Sequence, residues 1–158
     1  MNAIASWQWV PLVITALHII EEFVWPGGFA AWYRQYRPEI ASSVSTRYLV
    51  VVNAILLALC AVVALSAPTP RIVALLLTIA AVLFGNGIFH VWATWRMKRY
   101  SPGTVTGLTL YIPLGALAFV SMIRLGLASP QTAIVAAVMG CSYQVISVAN
   151  HRRRVRAI

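Results

Sequence analysis

The sequence predicts an all-α membrane protein built as a bundle of five transmembrane helices, and three observations predict this class. Hydrophobic residues make up 61% of the 158 residues, and charged residues make up 9%, whereas about a quarter of a soluble domain is charged. The apolar residues form five runs, each of the roughly 18–25 residues that a helix needs to cross a bilayer. The net charge of +9 comes from short basic clusters between these runs, so we predict contact with membrane lipids and no nucleic-acid binding.

The five spans are bounded by residues that interrupt helices. The first is predicted at about 7–25, where a Pro-Gly-Gly sequence follows it. The others are predicted at about 47–66, 71–95, 104–125 and 130–151. Pro113 lies inside the fourth span and predicts a local kink, because proline lacks the backbone N–H and crowds the preceding turn. We interpret the whole chain, residues 1–158, as one integral membrane domain.

The positions of the twelve Lys and Arg residues predict the orientation of the chain. Ten lie in the first loop, the third loop and the C-terminal tail, namely Arg34, Arg37, Arg47, Arg96, Lys98, Arg99, Arg152, Arg153, Arg154 and Arg156. Arg71 and Arg124 fall on the opposite side. The positive-inside rule therefore predicts an outside N-terminus and a cytoplasmic C-terminus. Aromatic residues near the cytoplasmic ends, Trp32 and Tyr33 among them, are expected at the membrane interface.

The most informative residues are three ionisable side chains within the first predicted span. His18, Glu21 and Glu22 lie in a run from residue 7 to residue 25 that has no other charge. An ionisable side chain at the bilayer centre costs roughly 2.5–3.5 kcal/mol on insertion scales. Spacings of three and four residues place all three side chains on one helix face. Two adjacent buried carboxylates predict a compensating cation or a proton.

Other polar residues fall at the same predicted depth, near the cytoplasmic face. Asn86 and His90 are again four residues apart, in the inner half of the third span. The remaining ones, taken as accessory site residues, are Asn53, Thr106, Gln144 and His151. Because facing helices build metal sites in bundle cores, we predict that His18, Glu22 and His90 bind a divalent metal ion, zinc or iron.

Simpler explanations exist for single members of this set. Asn53 and Asn86 are residue types that commonly hydrogen-bond neighbouring membrane helices. Glu21 and Glu22 could form ion pairs with Arg34 or Arg47. His151 adjoins the arginine-rich tail, which favours a solvated headgroup contact. Glu39, the third acid, is interpreted as a loop charge paired with Arg37. Pairing alone does not explain two adjacent carboxylates within a span.

Two short motifs make the chain resemble the HXXEE family of bacterial membrane proteins. His18-Ile19-Ile20-Glu21-Glu22 carries the first motif, and Asn86-Gly87-Ile88-Phe89-His90 carries an N-x-x-x-H motif. The segment Tyr100-Ser101-Pro102-Gly103 also resembles the family. The resemblance implies a site-forming role for the motif residues and a place in the bacterial cytoplasmic membrane, and it implies no particular reaction.

The predicted function is that of a metal-dependent intramembrane enzyme acting on a lipid or lipid-linked substrate, with hydrolysis favoured over oxidation. Glu21 would be the general base that activates water. Asn86 would donate a hydrogen bond to a developing oxyanion. The alternative is a small proton- or cation-coupled transporter that uses the same buried group. Five helices are few for a transporter, so that alternative would favour a homo-oligomer.

Overall fold

Seven α-helices account for most of residues 3–156, the part of the chain that the computed structural model describes. They are α1 (Ala3–Phe23), α2 (Phe29–Tyr36), α3 (Thr46–Leu65), α4 (Pro70–Met97), α5 (Thr104–Thr106), α6 (Ile112–Arg124) and α7 (Pro130–Arg156). A 3-10 helix spans Pro38–Ser43 and a π-helical segment spans Gly107–Tyr111. Residues 3–156 contain no strand, so the all-α prediction is confirmed.

Four helices in the described part of the chain are long and apolar enough to cross a membrane. They are α3, α4, the continuous helix Thr104–Arg124 and α7. These four support the assignment to the membrane proteins. Helix α1 has 21 residues and is not one of these four helices. The fifth crossing and the orientation of the termini stay predictions.

Helix α4 is the central helix, and it packs against α1, α3, α6 and α7. Its fully buried face includes Leu77, Ala80 and Leu83. An apolar side chain gains little free energy when it leaves lipid for a contact between helices. Close packing of small residues therefore contributes more to helix association in membranes. A Cβ added at Gly87 would lie 2.8 Å from the carbonyl oxygen of Gly107. These two glycines therefore allow α4 to lie directly against the π-helical segment that leads into the site.

The fourth predicted span contains the irregularity expected from Pro113. Helix α5 gives way to the π-helical segment Gly107–Tyr111, and regular α-helix resumes at Ile112. Proline cannot donate to the helical ladder, and its ring crowds the carbonyl four residues earlier. A π-helical turn accommodates such a break and is frequent at functional sites. Here it holds Tyr111, whose ring stacks on His18 at a centroid distance of 4.2 Å.

Helix α2 forms an aromatic cluster that the sequence analysis did not foresee. Phe29, Trp32 and Tyr33 are buried and pack with Phe89 of α4. Trp32 is 4% exposed, so Trp32 and Tyr33 pack within the protein, and their depth at the membrane interface stays a prediction. Amphipathic rings can fill a core as well as a membrane interface, and the residue type does not separate the two. The Phe29 ring lies 5.2 Å from the His90 ring, so the cluster covers one side of the site.

Candidate metal centre

Helices α1 and α4 bring together the three predicted metal ligands, His18, Glu22 and His90. One potential ligand atom from each residue lies within 4.8 Å of the other two. Glu22 Oε1 is 3.4 Å from His18 Nε2 and 3.2 Å from His90 Nε2. Both imidazoles are fully buried and Glu22 is 3% exposed. This buried group, called the ligand triad below, can hold a metal ion.

The hydrogen bonds of His18 determine which ring nitrogen carries its proton. The Thr106 hydroxyl donates to Glu21 Oε2 at 2.5 Å and lies 2.7 Å from His18 Nδ1. Since a hydroxyl has a single proton, Thr106 must accept its second bond from His18 Nδ1–H. The Nε2 of a neutral imidazole then keeps its lone pair, which points towards Glu22. Asn86 Nδ2 lies 3.3 Å from this nitrogen.

His90 has a similar arrangement through a different hydroxyl. Its Nδ1 is 3.0 Å from Ser101 Oγ, and that hydroxyl donates to the Pro102 carbonyl at 3.5 Å. With this bond, Ser101 can accept a hydrogen bond from His90 Nδ1–H. His90 Nε2 is buried without a hydrogen-bond partner among the described residues, although Glu22 Oε1 is near. Both imidazoles thus aim their Nε2 atoms at one carboxylate.

Two imidazole nitrogens and a carboxylate oxygen that converge in this way can bind one cation together. Two imidazoles and a carboxylate form a donor set that suits catalytic zinc, and the same set suits non-haem iron. Metal-binding histidines are normally oriented by a hydrogen bond at the other ring nitrogen, as Thr106 and Ser101 do here. The residues present therefore fit a divalent metal ion.

Glu21 faces away from the ligand triad and holds the segment from Tyr100 to Thr106. Its oxygens accept hydrogen bonds from the backbone N–H groups of Gly103, Val105 and Thr106 and from the hydroxyls of Tyr100 and Thr106. A carboxylate has about four lone-pair positions, so Glu21 is saturated. Burial and the bond to Glu21 raise the pKa of the Tyr100 hydroxyl, which keeps that donor protonated.

Gly103, which belongs to the Tyr100–Thr106 segment, covers one side of the ligand triad. Its φ of +102° lies in the left-handed region, where glycine is favoured. A Cβ added there would lie 2.5 Å from His90 Cε1 and 2.8 Å from His18 Cε1. Glycine therefore allows the backbone to lie against both imidazole rings, and Tyr111 stacks on His18 beside it.

On its other side, the triad adjoins a cavity of about 320 Å³ between α3, α4 and α7. Glu22 and Asn86 belong to its lining, together with Asn53, Gln144 and His151. Gln144 Nε2 lies 3.5 Å from Asn86 Oδ1, whereas Asn53 donates to the Leu49 carbonyl of its own helix. Three of the predicted accessory residues thus line the cavity, and the fourth, Thr106, contacts the triad itself.

His151 differs from the solvated headgroup contact favoured by its sequence neighbours. It is 2% exposed, and its Nδ1 lies 2.8 Å from Ser43 Oγ. The arginines that follow it point elsewhere because successive helix positions turn by about 100°. The predicted pair of Arg37 with Glu39 is confirmed at 3.3 Å. In residues 3–156 neither Arg34 nor Arg47 pairs with Glu21 or Glu22.

Sequence reasoning gave no role to several residues of the site, Ser101 and Tyr100 among them. Ser101 orients His90, and Tyr100 donates to Glu21. Both belong to the Tyr-Ser-Pro-Gly segment, which was noted for its family resemblance and given no chemical role. The sequence did contain a signal for these two residues. A polar turn that joins two predicted helices must lie near the end of the helix that carries His90.

Removal of the Thr106 hydroxyl is expected to weaken metal binding without displacing a ligand. Thr106→Val keeps the side-chain shape but leaves His18 Nδ1–H without its acceptor. Loss of such an outer contact typically lowers metal affinity by about 10–100-fold. Competition with a chelator would measure the change. Thr109→Val is the matched control, because Thr109 bonds within its own helix and is exposed; equal losses in both variants would contradict the assigned role.

Comparison with known protein families agrees with this geometry. Residues 9–118 match the model of a family described as proteins of unknown function with an HXXEE motif. The matched region covers more than half of the chain and includes the whole ligand triad. The chain belongs to the HXXEE family. In its HXXEE motif the histidine and the last glutamate belong to the ligand triad, and the first glutamate holds the turn before α5. No curated protein and no solved structure matches the chain.

Proposed function

We propose that this HXXEE protein is a metal-dependent membrane enzyme that binds one divalent ion through His18, Glu22 and His90. The observation that carries the proposal is the convergence of His18 Nε2 and His90 Nε2 on Glu22 Oε1, at 3.4 Å and 3.2 Å, in a buried position. A cation is the partner that satisfies two imidazole nitrogens and a carboxylate oxygen at once. We place the protein in the bacterial cytoplasmic membrane, as predicted from its charge pattern and family resemblance.

Hydrolysis is the reaction that we favour. Two histidines and a glutamate are a ligand set of catalytic zinc sites, in which one position stays open and the ion acts as a Lewis acid. Iron-dependent oxidation uses the same donors and is the second choice. Asn86 stands between His18 and the cavity, where its amide can donate to a substrate oxygen.

Glu21 receives a positioning role in this proposal. All its acceptor positions are used by the Tyr100–Thr106 segment. The general-base role predicted from the sequence would require several of these bonds to break, and it stays untested. Glu21 instead keeps Thr106 and Gly103 against the two imidazoles, which orients the ligands.

The cavity supports a substrate with an apolar chain. Its walls include Leu49, Val52 and Leu56 of α3 opposite Tyr143 of α7. Its polar lining includes Glu22, Asn86 and Gln144. A lipid or lipid-linked molecule would place its chain along α3 and its polar group at this end, beside the triad. Cation transport, the alternative, would use the same cavity as a route and would require no bond cleavage.

Elemental analysis of the detergent-purified protein tests the metal assignment. We expect about one zinc or iron per chain, and Glu22→Gln is expected to lose it, since even outer contacts are worth about 10–100-fold in affinity. Glu39→Gln is the matched control, because Glu39 is an exposed loop acid paired with Arg37. Absence of metal from the wild-type protein after reconstitution would overturn the proposal. Metal retention without hydrolysis of lipid esters would favour transport.

A further inference from the structure

A second groove runs between α4 and α7. It has a volume of about 710 Å³, and its walls include Ile88, Val145, Val148 and Ala149. Gly85 and Gln144 line one end, and the arginine-rich tail of α7 lines the other. The nine helical steps from Gln144 to Arg153 correspond to roughly 13 Å of rise. The groove is therefore deep enough for a substantial part of an acyl chain.

The basic end of the groove carries an excess of positive charge. Four arginines belong to its lining, namely Arg37, Arg152, Arg153 and Arg156. The chain has three acidic residues, and two of them lie at the metal centre. Glu39 alone remains to offset the arginines, and it pairs with Arg37 through an exposed 3.3 Å contact. Arg37 Nε is also buried without a hydrogen-bond partner among the described residues.

The same end of the groove presents an exposed tryptophan. Trp92 of α4 belongs to the lining and is 53% exposed. Tryptophan is enriched where apolar chains meet polar headgroups. The arginines, Trp92 and the apolar walls thus lie one after another along a single groove. A phospholipid has its phosphate, glycerol and acyl chain in the same order.

We propose that this groove binds an anionic glycerophospholipid, with its phosphate at Arg152, Arg153 and Arg37 and one acyl chain between α4 and α7. Guanidinium groups match phosphate oxygens through paired hydrogen bonds. Basic pockets between membrane helices are recurrent sites for anionic lipid headgroups. The positive-inside rule explains why basic residues lie at this end, but it requires no apolar groove beneath them.

Native mass spectrometry of the detergent-solubilised protein tests this site. The probes are dioleoylphosphatidylglycerol and dioleoylphosphatidylcholine, which share acyl chains and differ in net charge. We expect one phosphatidylglycerol to bind in preference to phosphatidylcholine, and the double variant Arg152→Gln/Arg153→Gln to bind it about tenfold more weakly or worse. The matched double variant Arg71→Gln/Arg124→Gln removes the same charge from exposed positions outside the groove and is expected to bind normally.

A second variant tests the apolar part of the groove without changing charge. Ala149→Trp fills the channel beside Val148, and we expect it to lose the bound lipid while the arginines remain. Unchanged thermal unfolding of the variants, measured without metal, shows that folding is intact. Equal binding of the two lipids, equal loss in both double variants, or full binding by Ala149→Trp would each overturn the proposal. Metal content is measured in a separate experiment. A negative lipid-binding result would therefore not contradict the metal assignment.

Discussion

Gly103→Ala is expected to disrupt both the fold around the site and its metal affinity. The new Cβ would lie 2.5 Å from His90 Cε1 and 2.8 Å from His18 Cε1, so both ligand rings must move. A non-glycine residue in the left-handed region costs about 1–2 kcal/mol, and overpacking adds about 1–3 kcal/mol. We expect a loss of about 2–5 kcal/mol in unfolding free energy, measured by denaturation in detergent, and a large loss of metal in chelator competition.

Gly126→Ala separates the two contributions to this effect. Gly126 also has a positive φ, of +68°, but a Cβ there meets no atom within 4 Å. This control therefore carries the backbone strain without the clash, and we expect about 1–2 kcal/mol of destabilisation with normal metal binding. If Gly103→Ala bound metal as tightly as Gly126→Ala, the segment from Tyr100 to Thr106 would not be the wall of the site.

Glu21→Gln is expected to destabilise the protein even when no metal is present. The amide would replace an acceptor oxygen by a donor, facing N–H and O–H groups that already donate to Glu21. Each buried donor left without a partner costs about 1–3 kcal/mol. With two or more affected, we expect a loss of about 2–5 kcal/mol in metal-free unfolding free energy. Proteolysis between Tyr100 and Thr106 should also become faster.

Glu22→Gln is the matched substitution next to it and should behave in the opposite way. Its carboxylate accepts no comparable set of backbone donors and faces two imidazoles. The amide of Glu22→Gln can still hydrogen-bond the imidazole nitrogens that face it, so we expect metal-free stability to change little, while metal binding is lost. Similar metal-free destabilisation by both variants would show that Glu21 and Glu22 do not have the separate roles assigned here.

The contrast between the adjacent glutamates also shows which features of the site could be predicted from the sequence. Spacing correctly placed His18 and Glu22 one helical turn apart, and the depth argument joined them to His90. Those inferences depend on helix geometry and on the cost of burying charge, both of which are local properties. Glu21 has the same chemistry as Glu22, yet it turns towards the backbone of a segment about 80 residues later in the chain. No local pattern encodes that difference.

Two other features show the same limit. Trp32 and Tyr33 were expected at the membrane interface, but they fill a small core over His90 together with Phe29 and Phe89. Ser101 was given no role, but its hydroxyl lies 3.0 Å from Nδ1 of His90. In each case the residue type suits two environments equally well, and the packing of α2 and of the Tyr100–Thr106 segment against α4 selects one.

The amino-acid sequence by itself determined that the chain is helical and apolar enough for a membrane, and that a buried His-Glu group needs a compensating partner. Composition, periodicity and desolvation cost act residue by residue, so they can be evaluated without a fold. The tertiary structure alone decided which groups Glu21 contacts, which hydroxyls orient the imidazoles and where the cavities lie. Those outcomes depend on contacts between residues far apart in the chain, and such contacts exist only after the helices have packed.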